Sequence, residues 1–401
     1  VNIAIVGASS AGIYLAIFLK RAHPELDVVL LEQNARLGRK LLATGNGHCN
    51  LLNLKTSAER FNHPDYMRPL LERYDFGTLQ TALADIGVIL TDEGDYVYPL
   101  SYSAPAHVAY LEKLLASLKV KTLLGAKVKE YHKAGDKWVL DSEHGPLLFD
   151  RVYFATGGAS TPKLGSDGSL FPVFAKHGYQ IVPLKPGLCP LKSKEPTKAI
   201  SGYRHHAMLY LTLDGVLGHQ EEGEVLFKDD GISGIVVFNA ASFLARRKPA
   251  KETHAILDLF PNVKLGVLVE DLFDSASKHP DFFLSAYFPD NVGRYLLSRA
   301  GVSPSEASTK KGCYRLAKTM KGLDFIITGS YGFENSQVSV GGISLNEVDR
   351  GLSSIREKGI SFVGEVLDVD GDCGGFNLTW CLVSSLLAVS SFPSLSVGKA
   401  D

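Results

Sequence analysis

The segment Val6-Gly7-Ala8-Ser9-Ser10-Ala11-Gly12 constrains this chain more than any other. It lies between a short apolar run, Asn2 to Val6, and a stretch of helical period, Ala11 to Arg21. A second apolar run, Asp27 to Leu31, then ends at the acid Glu32, 20 residues after Gly12. Strand, glycine-bearing turn, helix and acid-terminated strand form the dinucleotide fingerprint in its required context, one βαβ unit of a Rossmann-like α/β domain. Gly7 makes the tight turn and Gly12 lets helix and strand pack closely. The helix N-terminus offers free N–H groups and its dipole to a pyrophosphate, and Glu32, with Gln33 beside it, is placed for ribose hydroxyls. Ser9 stands where the middle glycine usually lets backbone approach phosphate.

At 401 residues the chain is long enough for two or three domains of about 100 to 200 residues each. Lys plus Arg number 42 against 43 Asp plus Glu, so no global field draws it to nucleic acid or an anionic membrane, and neither is expected as a partner. The five cysteines are odd in number and contain no C-x-x-C pair, which fits a reducing compartment. Cytoplasm is the expected address, with no export signal in the first residues. The apolar stretch Thr379 to Phe392 is broken by four serines, too short and too polar for a bilayer span.

Period changes divide the rest. Residues 56–118 read as mainly helical around a loop at 96–105, and 119–154 as a β-meander feeding a central strand. Residues 181–237 are strand-like and turn-rich, and 264–321 helical. Residues 361–364 return to strand and 377–390 to helix. The expected organisation is a discontinuous nucleotide-binding domain at 1–185 and 336–401. A β-rich substrate domain is expected at 186–250 and 322–335, and a helical domain at 251–321.

Three further segments carry chemistry. In Gly38 to Asn50, the cations Arg39 and Lys40 precede Thr44-Gly45-Asn46-Gly47-His48-Cys49-Asn50, a composition suited to neutralising a diphosphate and laying backbone amides against a flat ring. The strand Val152 to Phe154 ends in the small residues Ala155, Thr156 and Gly157. In Gly364 to Trp380 the acids Asp368, Asp370 and Asp372 lack the EF-hand register, so no metal is expected. Gly374-Gly375 opens a helix there and presents N–H groups to something electron-rich, such as a flavin pyrimidine.

With Val340-Gly341-Gly342-Ile343, these segments resemble the bacterial three-domain FAD flavoproteins that include aminoacetone oxidase and the reductase of bile-acid operons, over essentially the whole chain. Asn46 and His48 depart from the family's usual Gly-Gly-Gly-Arg-Cys-Asn, and Ser385 and Val389 from its small positions on the last helix. The resemblance implies FAD, with its phosphates at Gly7, Ala8, Ser9, Ala11 and Gly12, ribose at Glu32 and further contacts from Arg39 and Lys40. It implies adenine near Val128 and ribitol near Gly364 and Glu365. The isoalloxazine would lie between Thr44 to Asn50, with Cys49 among them, and Gly374, Gly375, Asn377 and Leu378.

The chain has one fingerprint and no second Gly-x-Gly-x-x-Gly between residues 160 and 340, which favours an oxidase. The expected reaction is oxidation of a small primary amine such as aminoacetone to an imine, hydrolysed to methylglyoxal and ammonia, with O2 reduced to hydrogen peroxide. The alternative is an NAD(P)H-dependent reductase of an enone. No catalytic residue is assigned. A redox disulfide of Cys49 and Cys373 is set against two plain thiols, His48 against a plain loop histidine, Tyr203 to His206 against surface polarity, and Tyr96, Tyr98 and Tyr102 against packing.

Overall fold

The computed structural model describes residues 1–393. Five strands form one parallel sheet in the order Ile360–Phe362, Arg151–Phe154, Asn2–Val6, Asp27–Glu32, Lys121–Leu124. Asn2–Val6 lies in the middle, with Ile3, Ala4 and Ile5 wholly buried. Such a strand reads as a continuous apolar run instead of alternating. The Ser10–Ala22 helix follows the same logic: Ser10 through Leu19 are all buried, so it carries no polar stripe until its last turn. The Phe376–Ser390 helix packs on it, and the Ser385 hydroxyl donates to the Ala11 carbonyl at 3.0 Å. The same hydroxyl lies closer, at 2.7 Å, to the Cys381 carbonyl of its own helix, so its one proton is shared between an intrahelical and an interhelical acceptor.

The fold is α/β, a Rossmann-like domain into which a second unit is inserted. The first compact unit comprises Val1–Pro186 and Gln337 onward, the second Gly187–Ser336, and each has its own hydrophobic core. Within the first, Val128–Ala134, Lys137–Ser142 and Gly145–Phe149 form the antiparallel meander that feeds Arg151–Phe154. Lys121–Leu124 instead joins the central sheet at its edge. Part of the expected loop at 96–105 is a strand: Tyr96–Pro99 pairs with both Leu52–Asn53 and Leu90–Glu93. Its alternating burial is that of a strand, and the prolines that argued for a loop sit at the strand's end and at the start of the Ala104–Ser117 helix.

The second unit is built on a closed barrel in the order Leu191–Ser193, Gly231–Ser233, Val216–Lys228, Arg204–Leu213, Thr253–Asp258, Leu323–Ser330. Thr253–Asp258 is thus a barrel strand, although the sequence reading began the helical module at 251. Only Ala255, Leu257 and Asp258 are buried in this six-residue element, too little alternation to register as a period. The helices Leu265–Lys278, Asp290–Ala300 and Lys310–Met320 follow. Among the described residues no helix is long and apolar enough to cross a membrane.

Candidate cofactor site

The turn from strand to first helix is closed by contacts only glycine permits. Gly7 has φ +102, and a Cβ there would lie 2.4 Å from the Ala155 carbonyl oxygen; one on Gly12 would lie 1.9 Å from the Gly7 carbonyl. Ser9 is the N-cap with extended backbone (φ −104) and makes no side-chain capping bond, so the backbone itself demands no glycine there. The N–H groups of the first helical turn have no intrahelical acceptor, and no side chain caps this positive end of a 13-residue helix. Glu32, 7% exposed, closes the loop beside it: its carboxylate accepts from the Ala8 N–H at 2.9 Å and from the Asn34 N–H at 2.9 Å.

Gly7, Glu32, Gln33, Val128, Thr156 and Gly157 come together as walls of one cleft of about 470 Å³, its open mouth included. Ala155 is fixed behind it by its N–H bond to the Val6 carbonyl at 2.8 Å.

Lys40 and Arg39, read from the sequence as diphosphate neutralisers, both have protein partners. The Lys40 ammonium donates to Glu365 and to the Ser160 hydroxyl, each at 2.6 Å, and Ser160 donates to the other Glu365 oxygen at 3.1 Å. Arg39 donates to the Asn34 side-chain oxygen at 2.7 Å. A largely buried ammonium needs a counter-charge, and the chain supplies one from its far end.

Thr44–Gly47 is a single tight turn with Gly45 and Asn46 both left-handed. Beyond it Cys49 is wholly buried, its thiol pushed up to about 12 by burial. A thiol so held stays protonated at neutral pH. His48 is exposed, bonded through Nδ1 to the Tyr102 carbonyl oxygen at 2.8 Å, with its ring 4.8 Å from that of Tyr102. Tyr98 packs tilted against Tyr102 in turn, ring centroids 4.6 Å apart.

The acidic stretch is a structural zipper. Asp368 meets His63 at 3.1 Å, Asp372 meets Arg60 at 3.2 Å, and between them the Asn62 side chain accepts from the Asp370 N–H. Among the described residues no group of three or more His, Cys, Asp or Glu could hold a metal ion. The zipper delivers the chain to Gly374 and Gly375, with φ +129 and +99, and to the uncapped N-terminus of the Phe376–Ser390 helix. The Asn377 side chain is spent on Gly371, accepting from its N–H and donating to its carbonyl, each at 2.9 Å. Leu378 is half-buried beside it. Gly364 is pinned from both sides: its N–H donates to Ser384 at 3.1 Å and its carbonyl accepts from Trp380 at 3.0 Å.

Asn53 and Asn62 were not singled out by the sequence reading. Neither sits in a glycine-rich motif, and their partners lie more than 300 residues away. Asn50, which was singled out, keeps its side-chain oxygen buried with no partner. A Cβ on Gly375 would lie 2.9 Å from that oxygen. Two uncapped helix N-termini, a buried acceptor without a donor, and a glycine turn with no side chains between them fit a dinucleotide joined to a flat, hydrogen-bonding ring.

Comparison with known proteins decides the family. The model of the HI0933-like protein Rossmann domain matches residues 1–391. The chain belongs to that family. It is an FAD-dependent oxidoreductase. It is 31% identical over 399 residues to the 3-dehydro-bile acid delta(4,6)-reductase of Clostridium scindens, covering 96% of this chain and 98% of the relative. It is 24% identical over 406 residues to the ribosomal RNA dihydrouridine synthase of Haemophilus influenzae, covering 95% and 96%. Among solved structures, the 3-ketosteroid delta1-dehydrogenase of Sterolibacterium denitrificans has a TM-score of 0.50 at 11% identity, covering 97% of this chain and 98% of that one. That likeness speaks for the shared fold alone.

Proposed function

We propose that this chain is an FAD-dependent reductase of carbon–carbon double bonds conjugated to a carbonyl, taking its electrons from a nicotinamide dinucleotide. The observation that carries the reading is the 31% identity, over 96% of the chain, to a reductase of 3-dehydro-bile acids. The second relative points the same way chemically, since a dihydrouridine is a uridine whose ring double bond, conjugated to a carbonyl, has been reduced.

FAD supplies the two-electron carrier chemistry, and the chain's part is to bind and orient it. In this reading the first turn of the Ser10–Ala22 helix holds the diphosphate, Glu32 the ribose, and the cleft at Val128 and Thr156 the adenine. Lys40 and Glu365 flank the ribitol. The turn at residues 44–50 and the start of the Phe376–Ser390 helix hold the isoalloxazine. The open N–H groups of that helix favour negative charge on the ring edge they face, which lowers the cost of loading it with electrons.

A second reading, oxidation of a small amine such as aminoacetone with release of hydrogen peroxide, draws on a specific observation. The described part of the second unit is an antiparallel barrel with helices, and contains no parallel βαβ layer where a dedicated nicotinamide fold would sit. Steady-state turnover separates the two. NADH or NADPH consumption that depends on an added 3-keto-4-ene steroid acid supports the reductase; peroxide formed from aminoacetone without any nicotinamide supports the oxidase.

A further inference from the structure

The Gly374–Gly375 peptide is the point at which the Phe376–Ser390 helix meets the proposed flavin site, and it is intrinsically loose. Both residues have positive φ, and neither carries a side chain to lock the plane between them, so rotation of this peptide costs little by itself. One contact opposes that rotation. The Asn53 side chain, from the short Leu52–Asn53 strand, donates through Nδ2 to the Gly374 carbonyl at 2.8 Å. Asn53 is 4% exposed and is itself held: its Oδ1 accepts from the Lys55 N–H at 2.8 Å, and its backbone carbonyl accepts from the Thr56 hydroxyl at 2.7 Å. In a trans peptide the carbonyl and the following N–H point in opposite directions. Fixing the Gly374 carbonyl on Asn53 therefore aims the Gly375 N–H away from the Leu52–Asn53 strand.

A second observation converges on the same turn. Asn50, three residues earlier and 8% exposed, keeps its buried Oδ1 without a donor beside Gly375. The segment thus brings a fixed donor and an open acceptor to the same turn.

We propose that Asn53 is a positioning residue for the flavin: by holding the Gly374 carbonyl it locks the Gly374–Gly375 peptide in the orientation that turns the Gly375 N–H, at the mouth of the helix, toward the ring, and so raises the flavin's midpoint potential. The inference rests on the placement of the isoalloxazine given under the proposed function. Loss of the lock lets the peptide rotate and presents a carbonyl oxygen where an N–H stood, which disfavours the electron-rich reduced ring.

The test is the midpoint potential of bound FAD, measured by equilibration with reference dyes in three purified, FAD-loaded variants of the full chain. Asn53→Leu removes the donor without adding charge. Asn53→Asp keeps the acceptor for the Lys55 N–H and loses the donor to Gly374. Gly375→Ala disturbs the turn directly. The proposal expects both Asn53 variants to retain FAD while the affinity for reduced over oxidised flavin falls about tenfold, or about 30 mV for a two-electron couple. An unchanged potential in the Asn53 variants beside a lowered one in Gly375→Ala would overturn the role of Asn53 and leave the flavin placement standing. An unchanged potential in all three would instead overturn the placement. If neither Asn53 variant folds with FAD, the residue is a structural support and the proposal is wrong.

Discussion

Lys40 and Glu365 are separated by 325 positions in the sequence and by 2.6 Å in the structure. The cation was legible as one of a pair before a glycine-rich loop, but its partner was not, because no local pattern encodes a contact closed by the chain's return. The pair is mostly buried, with side chains 19% and 17% exposed. Lys40→Met should therefore cost about 3–5 kcal/mol by stranding the carboxylate, and adding Glu365→Gln should recover part of the loss. Urea unfolding of the two FAD-free variants reads both numbers; equal stability of the single and double variants would show the pair to be uncoupled. Glu32 was legible as the fingerprint acid, yet in the structure it also holds the Ala8 N–H of the phosphate turn. Glu32→Ala should lower FAD affinity by about 1.5–3 kcal/mol, the worth of a charge-assisted hydrogen bond. Titration of the FAD-free protein with FAD measures it, and an undiminished affinity would remove Glu32 from the site. Ser9 looked like an obstruction in the sequence; its extended backbone shows that only room for the ligand, not the fold, is at stake.

The first and last helices could be read from the sequence because their ends are marked, by glycine turns and serines, and their lengths exceed three turns. The Tyr96–Pro99 strand could not, since four residues give a period of two little room to show. The pairing of helices was equally hidden. Tyr14 on the Ser10–Ala22 helix bonds His107 on the Ala104–Ser117 helix at 2.8 Å, and both are buried. Burial holds the His107 imidazole down at about 4, against 6.5 for the free side chain. The folded chain thus resists a proton that the unfolded chain accepts, so stability is intact above about pH 6.5 and is lost as pH falls toward 4. The contribution reaches about 3 kcal/mol at the acid end. His107→Gln keeps a side chain able to bond Tyr14 but does not titrate, and its stability should fall less than the wild type's over that window. Parallel curves from chemical denaturation at each pH would refute the assignment.

On the scale of the whole molecule, the discontinuous α/β domain was legible from two apolar periods that bracket a different middle. The inserted barrel was legible only as strand-rich text, because its strands pair across as many as 139 positions, from Leu191 to Ser330. The proposed cofactor site would gather the first, middle and last parts of the first unit: Gly7 to Gly12, Thr156 with Val128, and Gly364 to Leu378. A site so assembled predicts that denaturation releases FAD and not FMN, because the Glu32 cleft has work only with an adenosine half; chromatography of the released flavin checks it. The proposed reaction delivers the electrons to a conjugated double bond. The direct measurement is anaerobic double mixing: the FAD-loaded protein is first bleached by NADH or NADPH, then mixed with a 3-keto-4-ene steroid acid or with oxygen. A reductase would be reoxidised promptly by the enone, with the saturated ketone as product, and more slowly by oxygen. A flavin that nicotinamides fail to bleach, or that oxygen reoxidises while the enone leaves it reduced, would contradict the proposed reaction.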